Sequence, residues 1–375
     1  MNIIQVYQTN PFEEGQGGGV RYLKNLIFGI NEKCEGILFF GIGEHHQKQN
    51  NIKLIPVTRK LTGYITFLVL LMIKLPFLNL TKYDVVHVHR LYFAIPFIIF
   101  KPKLKIVCSL HGRTFSVFES NHGSKMMNVV KFFFKIIERY CIRKIDYLVP
   151  VSQDVVNSFK EKYLDFDSYN QSIVGSMFDT SKFEIIQSNY LQDKIGNNKK
   201  YVLFLGRLSN VKDVDFLIKL WSKKFQKNNE IKLVIAGTGE DDDRLKLLVN
   251  KICVTNKPLF IGEIRPTNIP KIISSANMCI LSSFHEASPT VIKESLSSGI
   301  PIITNNIGDV ENFIVNNKNG FIVEKNIESY YNSILSLTEN PIQKEDVLKY
   351  SENQLKKSSN SFVSDQFIKI YKTLI

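Results

Sequence analysis

Two glutamates, Glu286 and Glu294, stand with seven residues between them and a Ser288-Pro289 step inside the gap. Ser is a favoured helix N-cap and Pro is favoured at the first helical position, so the spacing predicts a helix opening at Pro289 and running through 290–298. Gly299 and Pro301 end it, and the apolar residues 301–304 read as a short buried strand. Glu286 then lies in the loop before the helix and Glu294 in its second turn. A helix start offers backbone N–H groups and the positive end of a dipole, which together suit an anion. A carboxylate on each side of that anion can accept hydrogen bonds from hydroxyls. Phosphate flanked by hydroxyls describes a nucleotide-sugar. Two glutamates alone are ordinarily solvated residues of a loop and a helix, so the surrounding pattern decides.

Upstream, the strand 201–206 ends at Gly206 and is followed by Arg207 and Lys212, five positions apart, whose fork and point charge can converge on a diphosphate. The opening strand 2–7 leads to the glycine-rich turn 15–19 and then a helical pattern, a strand–turn–helix order that can cradle phosphate. It lacks the G-x-G-x-x-G spacing of a dinucleotide site. The strand 105–110 delivers His111 to its carboxyl end, where open α/β sheets bind ligands. His87 and His89 share one side of the strand 84–89, and with no further ligand nearby they read as structural or cleft-lining rather than metal-binding. The acids 240–243 open a helix and complement its dipole.

Taken together these motifs resemble the retaining, GT-B-type glycosyltransferases of family 4. The resemblance is carried by Glu286, Ala287-Ser288-Pro289, Glu294, Ser298-Gly299-Ile300-Pro301 and Gly308-Asp309-Val310-Glu311, and by the strand–Gly–Arg–x4–Lys sequence that precedes them. It implies an α/β protein of GT-B fold, two doubly wound Rossmann-like domains facing a cleft. It implies a hexosyltransferase moving sugar from a nucleotide-diphosphate sugar to a saccharide or lipid-linked saccharide, with retention and without a metal or other cofactor. Under it, Arg207 and Lys212 take the diphosphate, Glu294 the ribose hydroxyls and Glu286 the sugar hydroxyls. Backbone groups from Ser288 through Thr290 to Val291 add donors at the helix start, and Ile264, after the strand 258–262, lines the base pocket. Gly18, Gly19 and His111 face the sugar and acceptor from the first domain. Two departures stand out: Ser176 replaces a usual Asn, and Asp213 follows Lys212 where the family often has Gly.

The elements that must hold these groups alternate as strand and helix along all 375 residues, enough for two domains. The expected division is 1–186 for the acceptor side and 187–359 for the donor side, with the polar stretch 187–200 as linker and the amphipathic tail 360–375 packing back on the first domain. The five scattered cysteines suit a reduced, cytoplasmic protein, and residues 1–10 do not read as a secretory signal.

Charge is uneven: residues 1–144 hold 20 Lys+Arg against 8 Asp+Glu, whereas the remainder holds 28 against 27. No nucleic-acid motif accompanies the basic part. An anionic membrane surface is the partner it suits, through a helix over 125–145 whose Lys131, Lys135, Arg139 and Arg143 form one stripe beside Met126, Met127, Phe132, Phe133, Phe134, Ile136 and Ile137. The apolar stretch within 64–80 is too short to span a bilayer. The expected setting is therefore the inner face of a bacterial cytoplasmic membrane, in surface-polysaccharide synthesis, with a UDP-sugar favoured over a GDP-sugar. A GT-B nucleotide-sugar 2-epimerase, or a silent nucleotide-binding or membrane-docking protein, is the alternative.

Overall fold

A computed structural model describes residues 1–13, 18–111, 125–183, 186–196 and 199–375. The chain divides into two compact units, Met1–Met177 with Asn360–Ile375, and Phe178–Ser359.

In the first unit, β1 (Asn2–Val6), β2 (Gly36–Ile42), β3 (Gln47–Gln49), β4 (Ile52–Thr58), β5 (Val85–Val88), β6 (Lys105–Leu110) and β7 (Tyr147–Pro150) form one sheet in the order β3-β4-β2-β1-β5-β6-β7. All pairings are parallel except the β3–β4 hairpin at one edge. Runs such as 36–42 are almost wholly apolar because a parallel sheet is covered on both faces. Chain order runs outward from β1 through β2 and β4, then resumes at β5 on β1's other side. The switch point of the sheet therefore lies between β1 and β5. The helices Gly18–Asn31 and Asn360–Lys372 pack together, and Phe367 and Tyr371 of the latter join the core beneath the sheet.

The second unit holds β8 (Lys200–Leu205), β9 (Ile231–Ala236), β10 (Leu259–Gly262), β11 (Met278–Leu281), β12 (Ile302–Asn305) and β13 (Gly320–Val323), all parallel, in the order β10-β9-β8-β11-β12-β13. Its switch point lies between β8 and β11. The stretch 187–200, expected as a linker, contains the helix Tyr190–Ile195, which the buried Leu191 and bonds to Ser275 fix to this unit.

Two glycines permit close backbone approach at the carboxyl edge of this sheet. A side chain at Gly237 (φ +136°) would meet the Gly206 carbonyl oxygen at 1.9 Å, and one at Gly308 (φ +58°) would meet the Glu286 carbonyl oxygen at 2.4 Å. The turns after β8 and β9, and those after β11 and β12, are thereby pressed together in pairs.

Candidate active site

The turns that follow β8 and β11 flank the switch point of the second sheet, the crevice where open α/β sheets bind ligands. Lys212 reaches across it from the β8 side to form an ion pair with Glu286 from the β11 side. Both side chains keep some exposure, 22% and 17%. Ser283 Oγ donates to the same carboxylate oxygen at 3.0 Å. Below the pair, Ser282 Oγ donates to the Lys212 and Asp213 carbonyls and the Phe284 N–H donates to the Val211 carbonyl, so these bonds tie the two turns together.

The backbone at Asp213 accounts for its presence directly after Lys212. Its φ of +46° is left-handed, the conformation that glycine supplies without steric cost and that Asp tolerates better than most residues. Its carboxylate is turned to Lys325 at 2.7 Å, and the Lys325 ammonium lies over the Phe284 ring. The acid is thus neutralised by a partner from the β13 side.

The helix start differs from the sequence expectation. The helix spans Thr290–Ser297, Pro289 occupies the N-cap position, and no side chain caps it. The Ser288 hydroxyl, one residue before the N-cap, donates to Asp309 Oδ2 at 2.5 Å while accepting from Lys293 Nζ at 2.9 Å. Lys293 is fully buried, with Asp309 Oδ2 4.0 Å from its ammonium and the Phe313 ring at 4.9 Å. Burial pushes the Lys293 ammonium down to about 8, which the Asp309 charge partly offsets. Burial likewise pushes the Asp309 carboxyl up, against the opposing pull of Lys293 and Ser288. A lysine, a hydroxyl and a carboxylate therefore lock the loop 286–289 to the turn after β12.

Of the residues singled out in the sequence, Lys212 and Glu286 are brought together directly, and Ser288, Thr290 and Val291 follow on the same loop and helix start. Glu294 is buried on that helix, and its charge adds to the burial that pushes the Cys279 thiol up to about 12. Ile264 is buried just past β10. Arg207 follows β8 but is 73% exposed and pairs with Glu240 at 3.0 Å, so the two cations are held by different carboxylates. Other acids of the 240–243 run are engaged too, Asp241 with Arg244 and Asp242 with Lys246. Sequence reasoning missed Lys293, because a lysine on an amphipathic helix ordinarily reads as solvated, and Ser283.

In the first unit, Gly18 and Gly19 open the helix Gly18–Asn31; Gly15 and Gly17 of the same turn lie outside the described residues. His111 stands at the end of β6 with its Nε2 3.3 Å from His89 Nδ1 and the Tyr22 ring edge-on at 4.8 Å. Loss of hydration, with the Arg90 charge nearby, pushes the His111 imidazole down to about 3. Lys131, Met126, Met127 and Phe132–Phe134 of the basic helix lie outside the described side chains, while Lys135, Arg139 and Arg143 are exposed on it. Among the described residues, no helix is long and apolar enough to cross a membrane.

Comparison with known proteins matches residues 189–354 to "Glycosyl transferases group 1" and residues 16–167 to "Glycosyltransferase Family 4". An uncharacterized glycosyltransferase of Methanocaldococcus jannaschii is 30% identical over 136 residues, 36% of this chain and 35% of that protein. The chain thus spans about a third of that relative. The Escherichia coli UDP-Gal:alpha-D-GlcNAc-diphosphoundecaprenol alpha-1,3-galactosyltransferase is 28% identical over 270 residues, 70% of this chain and 68% of its own length. Among solved structures, sucrose-phosphate synthase from Thermosynechococcus elongatus superposes with a TM-score of 0.82 at 14% identity, over 100% of this chain and 98% of that one. Anabaena HepE in complex with UDP-glucose gives 0.73 at 16% identity over the whole of both chains.

Proposed function

The chain belongs to the family 4, or group 1, glycosyltransferases of GT-B fold, and from that premise we propose that it moves a hexosyl group from a UDP-sugar to a lipid-linked saccharide with retention of anomeric configuration. The observation that carries the reading is the Lys212–Glu286 pair at the switch point of the second sheet. Without ligand each charge satisfies the other. On donor binding the diphosphate takes Lys212, and Glu286 is released to accept from sugar hydroxyls. A fixed cation at the leaving group lowers the barrier most because charge accumulates there in the transition state.

Arg207 supplies a second cation once it exchanges Glu240 for phosphate. The N–H groups from Ser288 to Val291, Pro289 excepted, add donors at an anion-favouring helix start. Glu294 is assigned to the ribose, Ile264 to the base, and Gly18, Gly19 and His111 to the sugar and acceptor. The leaving phosphate takes the acceptor hydroxyl's proton on the face where the new bond forms. These cations carry the charge that the diphosphate requires, and no step is assigned to a divalent metal.

The E. coli relative is named for a UDP-sugar donor and a diphosphoundecaprenol-linked acceptor, and the HepE structure holds UDP-glucose; both support this donor and acceptor class. A lipid acceptor also suits the first unit. Ile65, Val69, Ile73 and Phe77 recur every four residues along the helix Tyr64–Lys74 and the turn after it, and all are exposed, from 48% to 86%. With Arg59, Lys60 and Lys74 at its ends, this stripe has the make-up of an interfacial surface. Five buried free cysteines suit a reducing compartment, which supports a reaction at the cytoplasmic face in surface-polysaccharide assembly.

Thermal stabilisation by a panel of UDP-, GDP- and ADP-sugars tests the donor, since a ligand that prefers the folded state raises its melting point. A UDP-sugar is expected to stabilise most and to yield a product of unchanged anomeric configuration. Absence of stabilisation across the panel, or an inverted product, would sink the reading. Sedimentation with anionic vesicles that persists after Ile65 and Ile73 are both changed to Ser would remove the lipid surface assigned here.

A further inference from the structure

Five polar side chains stand on one face of the first sheet: Gln5 on β1, His87 and His89 on and just past β5, Ser109 and His111 on and just past β6. Gln5 and His87 are direct cross-strand partners. Tyr371, from the helix Asn360–Lys372, closes the group. Its hydroxyl lies 2.7 Å from His87 Nδ1 and accepts from Gln5 Nε2 at 3.2 Å. Gln5 Oε1 lies 2.8 Å from His89 Nε2, and His89 Nδ1 lies 3.3 Å from His111 Nε2. On the other branch, His87 Nε2 lies 2.8 Å from Ser109 Oγ. Gln5, His87 and Tyr371 are fully buried and His89 is 2% exposed. The donor chemistry above uses only the last link, His111.

One member of this chain has a direction. The hydroxyls of Ser109 and Tyr371 rotate and an imidazole can exchange tautomers, but an amide donates from one end and accepts at the other. With its nitrogen on Tyr371, Gln5 turns its oxygen to His89. His89 therefore carries its proton on Nε2 and accepts at Nδ1. His111 must then donate from Nε2, which leaves its Nδ1 as a lone pair. Burial pushes all three imidazoles below the ordinary histidine range, so each ring is neutral near pH 7 and has one proton to place.

We propose that Gln5, its amide nitrogen on Tyr371 and its oxygen on His89, holds His111 as the Nε2–H tautomer, so that β1 and the C-terminal helix together position this residue of the active site. The inference rests on the assignment of His111 to the sugar. It deepens that assignment, because a lone pair on Nδ1 selects a hydroxyl donor, whereas the opposite tautomer would offer an N–H. Tyr371 and Gln5 are positioning residues, separated by 366 positions in sequence and joined only by the fold.

The test is long-range proton–nitrogen NMR of the full chain labelled with 15N-histidine, the His111 signals being identified by their loss in His111→Ala. The expected spectrum shows protonated Nε2 and unprotonated Nδ1 at His111. Tyr371→Phe and Gln5→Met free the chain's direction, and a mixture of tautomers is expected in each. Their kcat is expected to fall roughly tenfold, comparable to the lower end of what losing the partner that orients a metal-bound histidine costs, with donor KM within about twofold. A merely structural role would leave the tautomer unmoved. Protonated Nδ1 in the unmodified chain overturns the proposal without any variant having to fold, and Nε2–H unchanged in both variants overturns it as well. Undiminished transfer by His111→Ala, with the expected tautomers present, would instead remove the sugar-facing role of His111 and leave the relay standing.

Discussion

At the switch point of the second sheet the bridging side chains are charged and partly open to solvent; at that of the first they are neutral and, short of half-buried His111, fully buried. Both sheets are parallel, apart from the β3–β4 edge of the first, and both change direction beside their first strand. In the second unit the gap is bridged by Lys212 and Glu286, each retaining about a fifth of its exposure. In the first it is bridged by amide, imidazole and hydroxyl groups, with three imidazoles held neutral by desolvation. One topology therefore carries two kinds of chemistry. A partly open ion pair can exchange partners when an anion arrives, because water and ligand compensate each charge as it is released. A buried neutral network cannot exchange without leaving polar atoms unmatched, so it fixes geometry instead.

The largest effect expected from breaking this contrast is at Lys212. Lys212→Ala should lower kcat/KM roughly 10²- to 10³-fold, the range found when one preorganised charge-stabilising donor is removed from a transition state. Initial-rate kinetics with a UDP-sugar would measure it. A loss within tenfold would mean that the pair is structural and that the two switch points do not differ in kind.

Lys293 sharpens the comparison from the other side, being a charged group placed as deeply as the histidines. Lys293→Met leaves Asp309 buried without its cation, and removal of one partner of a buried pair costs about 3 kcal/mol or more. Denaturant unfolding followed at Trp221, which is buried in the second unit, would report it. The same group sets a pH dependence whose two readouts differ in sign. As pH rises through about 8 the ammonium is lost, and the bond to Ser288 weakens, so an alkaline limb in kcat/KM is expected there. Stability does not fall with that step, because a depressed lysine pKa means the unfolded chain holds the proton more tightly, and folding gains between about 8 and the ordinary lysine value. Activity and stability that decline together above pH 8 would exclude Lys293 as the cause.

How much of this could be read in advance follows from the range of each interaction. The Glu286–Glu294 spacing and the Gly206–Lys212 segment are local, and the short apolar runs between helical stretches make the two sheets legible. The helix Tyr190–Ile195 is not legible, since only Leu191 of its six residues is fully buried and the polar stretch around it reads as a loop. Nor is the bond of Ser288 to Asp309, twenty-one positions away, with Lys293 donating to the same hydroxyl. The partnership of Gln5 with Tyr371 lies beyond any local pattern. Asp213 is the middle case: the departure from Gly is visible in the sequence, but the left-handed backbone and the Lys325 partner that make it tolerable are not.

Arg207 tests whether exposure is what makes a cation exchangeable. Its guanidinium is 73% exposed and rests on Glu240. Arg207→Ala should raise donor KM about tenfold, equivalent to about 1.4 kcal/mol, with kcat changed less than in Lys212→Ala. Saturation curves in UDP-sugar would separate the two effects.

The smallest effect is expected at Glu240, and it is the most discriminating. An exposed ion pair of this kind contributes about 0–1 kcal/mol, so Glu240→Ala should leave the melting point nearly unchanged. Its effect on donor binding depends on what Glu240 does for Arg207. If the carboxylate only occupies the guanidinium until phosphate displaces it, removing Glu240 frees the cation and donor KM should fall by up to about twofold. If Glu240 instead orients the guanidinium toward the phosphate, its loss should reproduce much of the Arg207→Ala increase. The exchange argument made for Lys212 requires the first result, because the same rule must hold for both cations: a partner that can be replaced by the ligand costs the ligand its replacement, and a site relieved of that partner binds more tightly.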